Sequence, residues 1–472
     1  MLPRSIRLRP FRYLGILAQN GLDTHMARGE AAMRVIANTV NIIAKVTGRL
    51  GWGIGDQAVS SLTNFALGVA VARQVSTADL GAFFIVFTTY LVVLSLSRPV
   101  TTQPLLIRYS TVQEHEWREA SRAATGTAAV IGVIAGGALV LVGWLIVGGP
   151  LGAGLIPLGL ALPGLVLQET WRGVFFAGSR GQHALLNDLI WALALLGLLS
   201  LLFALGVTTT PAIVGAWGAS ATIAAVAGII QARTVPSPRL AMSWYRRGKE
   251  LSIPLLGDAA IRIGAHSLSW YLIGIIAGLA AVGALKGTQL LLGPTNVIVI
   301  GVALAAVPES ARNLAQSTTS LRHTMMVIAS VSAASVLAWG GAVFFLPESI
   351  GRQLLGVSWR EAHSLLGPTI IAFTFSAITL GARSGLLALA ESRRILLTGA
   401  IEAAILLSAV AVGAAWTGAH GAAIAFAVGT GAGCALWWSQ ALKALRNHLP
   451  TVPAGPIARG LSIRPGGASE AP

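Results

Sequence analysis

The chain has 472 residues, 54% of them hydrophobic and only 11% charged, with a mean hydropathy of +0.73. Soluble domains carry about 25% charged residues, so a soluble globular protein is excluded. The net charge of +16 would suggest nucleic acid in a soluble chain, but beside apolar spans it reads as topogenic, and no nucleic-acid partner is expected.

In chain order, residues 1–50 are expected to be a basic cytoplasmic extension. They carry Arg4, Arg7, Arg9, Arg12, Arg28, Arg34, Lys45 and Arg49 without the clean apolar core of a signal peptide. Three readings stand side by side: an amphipathic surface helix over 30–50, a disordered lead-in, or sequence preceding a true start at Met26 or Met33. Apolar segments follow at 54–74, 79–98, 123–147, 151–176, 184–205, 212–232, 251–277, 282–307, 324–346, 363–387, 395–416 and 420–441. Each is near the ~20 residues that cross a bilayer core of roughly 30 Å. The expected fold is an all-α integral membrane protein with 12 transmembrane helices. The short alternating segments of a transmembrane barrel are missing from the sequence.

The loops differ sharply in charge. The N-terminus, 98–122, 172–180, 233–249, 312–322, 383–394 and the tail hold 28 Arg and Lys, whereas the opposite set holds Arg73, Arg352 and Arg360. By the positive-inside rule both termini are cytoplasmic. Basic residues are overwhelmingly Arg, with only four Lys, as in a GC-rich bacterium, so a bacterial plasma membrane is expected. Cys434 is the single cysteine, so no intramolecular disulfide can form and no Cys/His metal site is expected.

Short matches recur in order along the chain. Gly55-Asp56 and Gly81-Ala82 return as Gly257-Asp258 and Gly283-Ala284, 202 positions later. Pro104 and Arg108 return as Pro308 and Arg312 at 204. Arg172, Ala177 and Leu185-Leu186 return as Arg383, Ala388 and Leu396-Leu397 at 211. Gly215-Ala216 with Gly218-Ala219 returns as Gly418-Ala419 with Gly421-Ala422 at 203. A period this long is a duplicated domain. Each repeat holds six spans, so 51–233 and 251–446 are expected to form two six-helix bundles related by a pseudo-two-fold axis along the membrane normal. Residues 234–250 would be a cytoplasmic linker that an amphipathic helix could fill, and 447–472 a disordered cytoplasmic tail.

Charges that cannot reach the interface carry the functional signal, because each is costly at mid-bilayer unless paired or hydrated. Asp258, Arg262, His266 and Ser269 share one helix face, and Arg262 lies roughly 17 Å deep at about 1.5 Å per residue. Asp258 and Arg262 either neutralise each other or face a hydrated cleft. In the cleft, Arg262 would bind an anion, with Asp258 or His266 as a titratable coupling site. Lys286, Gln289, Gly293 and Asn296 share another face, where Lys286 either serves substrate or snorkels outward. Asp56, Gln57, Ser61 and Asn64 lie toward one side of the first span. Asp56 either caps that helix or, as the repeat partner of Asp258, joins the coupling site. Arg98, Arg108 and Arg312 are expected at the cytoplasmic face, meeting lipid headgroups or other anions. Glu169, Asp188 and Glu402 sit near cytoplasmic span ends, where interfacial hydration would suffice. Trp144, Trp171, Trp191, Trp217, Trp270, Trp416, Trp437 and Trp438 read as interfacial anchors.

The segment Asp56-Gln57-Ala58-Val59-Ser60-Ser61-Leu62-Thr63-Asn64-Phe65, with Ala72-Arg73 and Asp79-Leu80-Gly81-Ala82-Phe83, resembles a family pattern. Leu272-Ile273-Gly274, Val282-Gly283-Ala284-Leu285 and Pro308-Glu309-Ser310-Ala311-Arg312 extend it, so that it covers essentially residues 50–446. The family is the multidrug/oligosaccharidyl-lipid/polysaccharide (MOP) exporter superfamily, in its bacterial polysaccharide-flippase (Wzx-type) branch. The motifs are weak and none is catalytic, and the basic leader is longer than the family pattern. The resemblance implies two bundles around a central cavity lined by the first and seventh helices. It also implies alternating access that moves a polyprenyl-pyrophosphate-linked oligosaccharide outward, beside membrane lipids and polysaccharide-assembly proteins. Arg262 and Lys286 would neutralise the pyrophosphate, and Gln57, Asn64, Gln289 and Asn296 would line the cavity for the sugars.

A drug or cation exporter of the same superfamily is the alternative, though it would want an acidic cavity. A polysaccharide-biosynthesis enzyme is weaker still, since the longest outer loop, about 347–362, offers only two acids and two arginines. An enzyme is not expected. The sequence contains no Gly-x4-Gly-Lys-Ser/Thr loop, so no nucleotide or other cofactor is implied and an ion gradient or membrane potential should drive transport.

Overall fold

A computed structural model describes residues 52–448 except 54, 111, 147 and 148, and it omits the side chains of Asp258, Ile261, Arg262, Ala265 and Leu304. The basic extension and the tail from residue 449 therefore lie outside the described residues. The described chain is helical, with no strand. Its main helices are α1 (55–74), α2 (Thr77–Ser97), α3 (Thr102–Arg108), α4 (Glu114–Leu145), α5 (Pro150–Ala177), α6 (Gly181–Ala204), α7 (Thr210–Ala232) and α8 (Ala241–Ile276). Then come α9 (Leu279–Leu291), α10 (Gly293–Leu314), α11 (Thr318–Phe344), α12 (Glu348–Leu355), α13 (Trp359–Ser364), α14 (Leu366–Ala388) and α15 (Ser392–Asn447). Among the described residues, nine helical stretches are long and apolar enough to cross a membrane, and the shorter apolar helices His266–Ile276 and Leu279–Leu291 adjoin them.

Local chemistry sets the helix ends. Ser76 caps α2 by accepting from the Asp79 amide at 3.1 Å, and Ser317 caps α11 by accepting from Ser320 at 3.0 Å. Pro150, Pro211 and Pro294 stand in the first turns of α5, α7 and α10, where a missing N–H costs no hydrogen bond. Gly293-Pro294 also corrects one expected span. The apolar run 282–307 is two helices, α9 and α10, broken at Leu292, because proline cannot donate to the preceding turn. At the other extreme, α15 is two spans. Thr417 and Gly418 leave helical geometry, Gly418 at φ +60°, and the chain folds back so that a Cβ at Gly413 would collide with the Gly421 carbonyl. The expected linker 234–250 continues into the membrane span without interruption, since α8 begins at Ala241.

Small residues let the helices approach closely, as membrane interfaces require. Gly132, Gly136 and Gly143 of α4 lie against Pro163, Gly159 and Gly152 of α5. Gly381 and Gly385 of α14 lie on Met325 of α11. The tryptophans depart from the interfacial expectation: Trp171, Trp191, Trp217, Trp270 and Trp437 are buried in the packing, while Trp144 and Trp416 remain on the surface. A buried indole can fill volume that a small neighbour leaves open. Gly228, for example, backs directly onto Trp171.

Two backbone features recur at the offsets of the sequence matches. Helix α2 crosses α9 where a Cβ at Gly81 would collide with the Leu279 carbonyl, and one at Gly283 with the Thr77 carbonyl. Each glycine and each carbonyl is 202 positions from its counterpart, so the contact is symmetric. The α5–α6 turn matches the α14–α15 turn at 211. Ser179 and Ala390 adopt φ +57° and +56°. The bonds Gly178 to Val174, Ser179 to Phe176 and Arg180 to Phe175 recur as Leu389 to Gly385, Ala390 to Leu387 and Glu391 to Leu386.

Candidate transport site: a buried charge cluster and a cavity

The densest charge among the described residues lies in the first repeat. Arg172 on α5 pairs with Asp56 of α1, donating from Nε at 3.0 Å and from Nη2 as well. Its Nη1 reaches Glu169 at 3.3 Å, and its Nε lies 3.5 Å from Asp188 of α6. Arg98, just past α2, donates to Glu169 from Nε at 3.0 Å and from Nη2 at 2.6 Å. Gln168 donates to Asp188 at 2.9 Å, and Asn187 donates to the Ala224 carbonyl at 2.8 Å and to Gln231 at 3.0 Å. Asp56 and Asp188 are nearly inaccessible, at 1% and 2% exposure. Three carboxylates thus meet two guanidiniums, and Asp56 Oδ1 is buried without a hydrogen-bond partner.

This cluster revises several expectations. Glu169 and Asp188 are not hydrated at the interface; they turn inward because Arg172 faces the bundle interior. Asp56 is neither exposed nor engaged as a simple helix cap. Arg98 spends its charge on Glu169 at its inner side, while its side chain stays 40% exposed. Arg108 donates to the Arg247 carbonyl at 2.9 Å, and Arg312 pairs with Glu309 on an exposed surface.

The second repeat holds a cavity of about 320 Å³ between α8, α9, α14 and α15. His266, Gln289, Arg383, Glu402, Thr430 and Trp437 supply much of its polar lining. Lys286 stands beside it, with Nζ 3.7 Å from the Trp270 ring centre and 3.4 Å from Gln289 Oε1. It therefore packs inward on an aromatic face instead of snorkelling. His266 Nε2 accepts from Trp270 Nε1 at 3.4 Å. Glu402 accepts from Trp437 Nε1 at 2.8 Å, and the Arg383 guanidinium lies 5.2 Å from the Trp437 ring centre.

The structure thus brings His266, Lys286 and Gln289 together, and holds Asp56 apart from them in the first-repeat cluster. Gln57, Asn64 and Asn296 are exposed. Asp258 and Arg262 lie on α8, but their side chains are outside those described; Ser269 on the same helix is buried. Sequence reasoning had Glu169, Asp188 and Glu402 only as interfacial acids and Arg172 and Arg383 only as repeat anchors, and it did not name Asn187. The signals were present in the Glu169–Arg172 spacing and in the repeat of Arg172 as Arg383.

Comparison with solved structures shows what the fold resembles. The chain is similar to the lipid II flippase MurJ in an inward closed conformation, with TM-score 0.65 over 84% of this chain and 89% of that one, at 11% identity. It is similar to an inward-facing multidrug-resistance MATE transporter of the MOP superfamily, with TM-score 0.63 over 82% and 94% at 13% identity. The fold is that of MOP-superfamily transporters. An outward-facing MATE structure fits less well, with TM-score 0.55 over 83% and 93% at 12% identity. No protein-family model matches the chain, and no curated protein matches it. The likeness is one of fold, and together with the apolar helices it fits a multi-pass membrane protein.

Proposed function

We propose that this chain is a MOP-type flippase of the polysaccharide (Wzx-type) branch. It would move a polyprenyl-pyrophosphate-linked oligosaccharide from the inner to the outer leaflet by alternating access of two six-helix bundles. The observation that carries this reading is the unequal availability of charge. Asp56, Glu169 and Asp188 are tied up by Arg98 and Arg172, whereas the accessible cavity carries Arg383, His266 and Gln289 with Lys286 beside them. Glu402 is the one carboxylate among the described residues lining that cavity, against Arg383 and the adjacent Lys286, so a cationic drug would be matched less well there than an anion. An anionic pyrophosphate would find cations, including Arg262 on α8 if it faces the same side, and exposed amides at Gln57, Asn64 and Asn296 for sugar hydroxyls.

Coupling would use the surplus carboxylate of the first-repeat cluster. With three acids against two arginines, Asp56 can take up a proton or a cation without breaking the remaining pairs. Asp258 and His266 are the corresponding candidates in the second repeat. The higher similarity to an inward-closed and an inward-facing structure favours an inward conformation, on the side where such a substrate is assembled. Glycan export in cells carrying Arg262→Ala or Lys286→Ala tests the substrate role. Loss of export is expected with protein levels unchanged, and unimpaired export in both would refute it.

A further inference from the structure

Arg383 is the repeat counterpart of Arg172, and the matching turn bonds at an offset of 211 show that α14 and α15 place it as α5 and α6 place Arg172. The surroundings differ. Glu169, one turn before Arg172, becomes Leu380, and Asp188 on the following helix becomes Gly399. Of the three carboxylates that hold Arg172, two therefore have no counterpart at Arg383. Gly399 and Arg383 both line the 320 Å³ cavity, so the space that the Asp188 side chain fills in the first repeat is open in the second. A Cβ at Gly399 would meet only Trp437, at an ordinary 3.8 Å.

Arg383 is five residues inside α14, about 7–8 Å from its end at 1.5 Å per residue. Its guanidinium lies over Trp437, whose indole N–H is engaged by Glu402. This cation–π contact uses none of the guanidinium N–H donors, and no described carboxylate lies within ion-pair distance. A planar guanidinium with free N–H donors beside a cavity is suited to bidentate recognition of an oxyanion.

We propose that Arg383 and this cavity form a binding site for a phosphate group, whose oxygens take the positions that the Glu169 and Asp188 carboxylates take around Arg172. The first repeat carries its anions covalently; the second receives one from outside. The phosphate can come from an anionic lipid headgroup or from a soluble molecule; because Arg383 and this cavity are among the cations named for the substrate pyrophosphate, the inference rests on that reading of the cavity.

The test uses the full chain and two probes. Inorganic phosphate is titrated into detergent-purified protein while thermal unfolding is followed. In parallel, nanodiscs of phosphatidylglycerol and of phosphatidylcholine are compared by native mass spectrometry for retained lipid. Stabilisation by phosphate identifies a soluble source, and selective retention of phosphatidylglycerol identifies a lipid source. Whichever response occurs, Arg383→Gln should weaken it at least ten-fold, and Arg383→Lys should weaken it less. Gly399→Asp should abolish it by restoring an internal carboxylate, and its melting temperature without ligand should match or exceed that of the wild type. This last variant keeps the test valid if Arg383→Gln folds poorly. Absence of both responses, or equal responses in the wild type, Arg383→Gln and Gly399→Asp, would overturn the proposal. Such a failure would remove Arg383 from the cations offered to the substrate, whereas the flippase reading itself is decided by the separate export assay on Arg262 and Lys286.

Discussion

At the scale of single residues, Arg172 holds most of the buried charge of the first repeat. Its removal leaves Asp56 and Asp188 buried without a cation, and breaking a buried pair in this way costs about 3–5 kcal/mol. Arg172→Leu is therefore expected to lower the unfolding midpoint in detergent strongly, and adding Asp56→Asn should recover part of the loss. Equal stability of Arg172→Leu and wild type would show that the cluster is not needed for folding. Gly81 and Gly283 give a second expectation. An added methyl at either meets backbone, which cannot swing aside, so Gly81→Ala and Gly283→Ala should each cost about 1–3 kcal/mol in the same assay. These residues were legible to different degrees. The glycines stood out as repeated dipeptides before any contact was known. Glu169 and Asp188 did not, because counting residues from a span end measures depth but not the face a side chain occupies. The indoles of Trp171 and Trp217 were misjudged for the same reason.

At the scale of elements, most helices lie where apolar runs put them, because a bilayer permits little else than a helix for such a run. The exception is the 282–307 run, where apolar composition is continuous but Gly293-Pro294 interrupts the hydrogen bonding. Hydropathy does not register a missing donor. The amphipathic α12, between α11 and α14, shows a different control. Glu348 accepts from Arg352 at 2.7 Å and from Arg360 at 3.1 Å. The Arg360 and Arg352 hydrogen bonds hold its carboxyl below the usual carboxylate range. A depressed folded pKa contributes stability above the unfolded value of about 4.3, and that contribution disappears as pH falls through the folded value. Amide protection across residues 347–365, corrected for intrinsic exchange, should therefore fall between pH 5 and pH 3. Glu348→Gln should show the lower protection already at pH 7. Unchanged protection in that variant would mean that packing of Trp359, not charge, orders the segment.

At the scale of the whole molecule, contacts between the repeats gather where α1 ends and α2 and α9 begin. Gly81 crosses Gly283, Thr77 Oγ1 lies 3.2 Å from Ser358 Oγ, Gly356 rests on the Ala72–Arg73 backbone, and Thr89 Oγ1 lies 2.9 Å from Tyr271 Oη. If the repeats alternate as proposed, these contacts must separate once per cycle. A disulfide between Thr77→Cys and Ser358→Cys should then arrest transport, with activity restored by reductant; undiminished transport in the cross-linked protein would exclude separation at this face. The repeats were readable as a duplication from offsets near 202 to 211, yet the difference between the surroundings of Arg172 and Arg383 was not. That difference rests on two substitutions, Glu169 to Leu380 and Asp188 to Gly399, at positions with no recurring residue to mark them. The most direct measurement of the central claim is flipping by the purified chain in proteoliposomes. Polyprenyl-pyrophosphate-linked oligosaccharide is loaded in one leaflet, and its arrival in the other is read by an impermeant sugar-oxidising or hydrolytic probe. Protein-dependent arrival, slowed at least ten-fold by Arg262→Ala and Lys286→Ala together, is the expected result. No arrival above protein-free vesicles, with uptake or efflux of a cationic drug in its place, would contradict it.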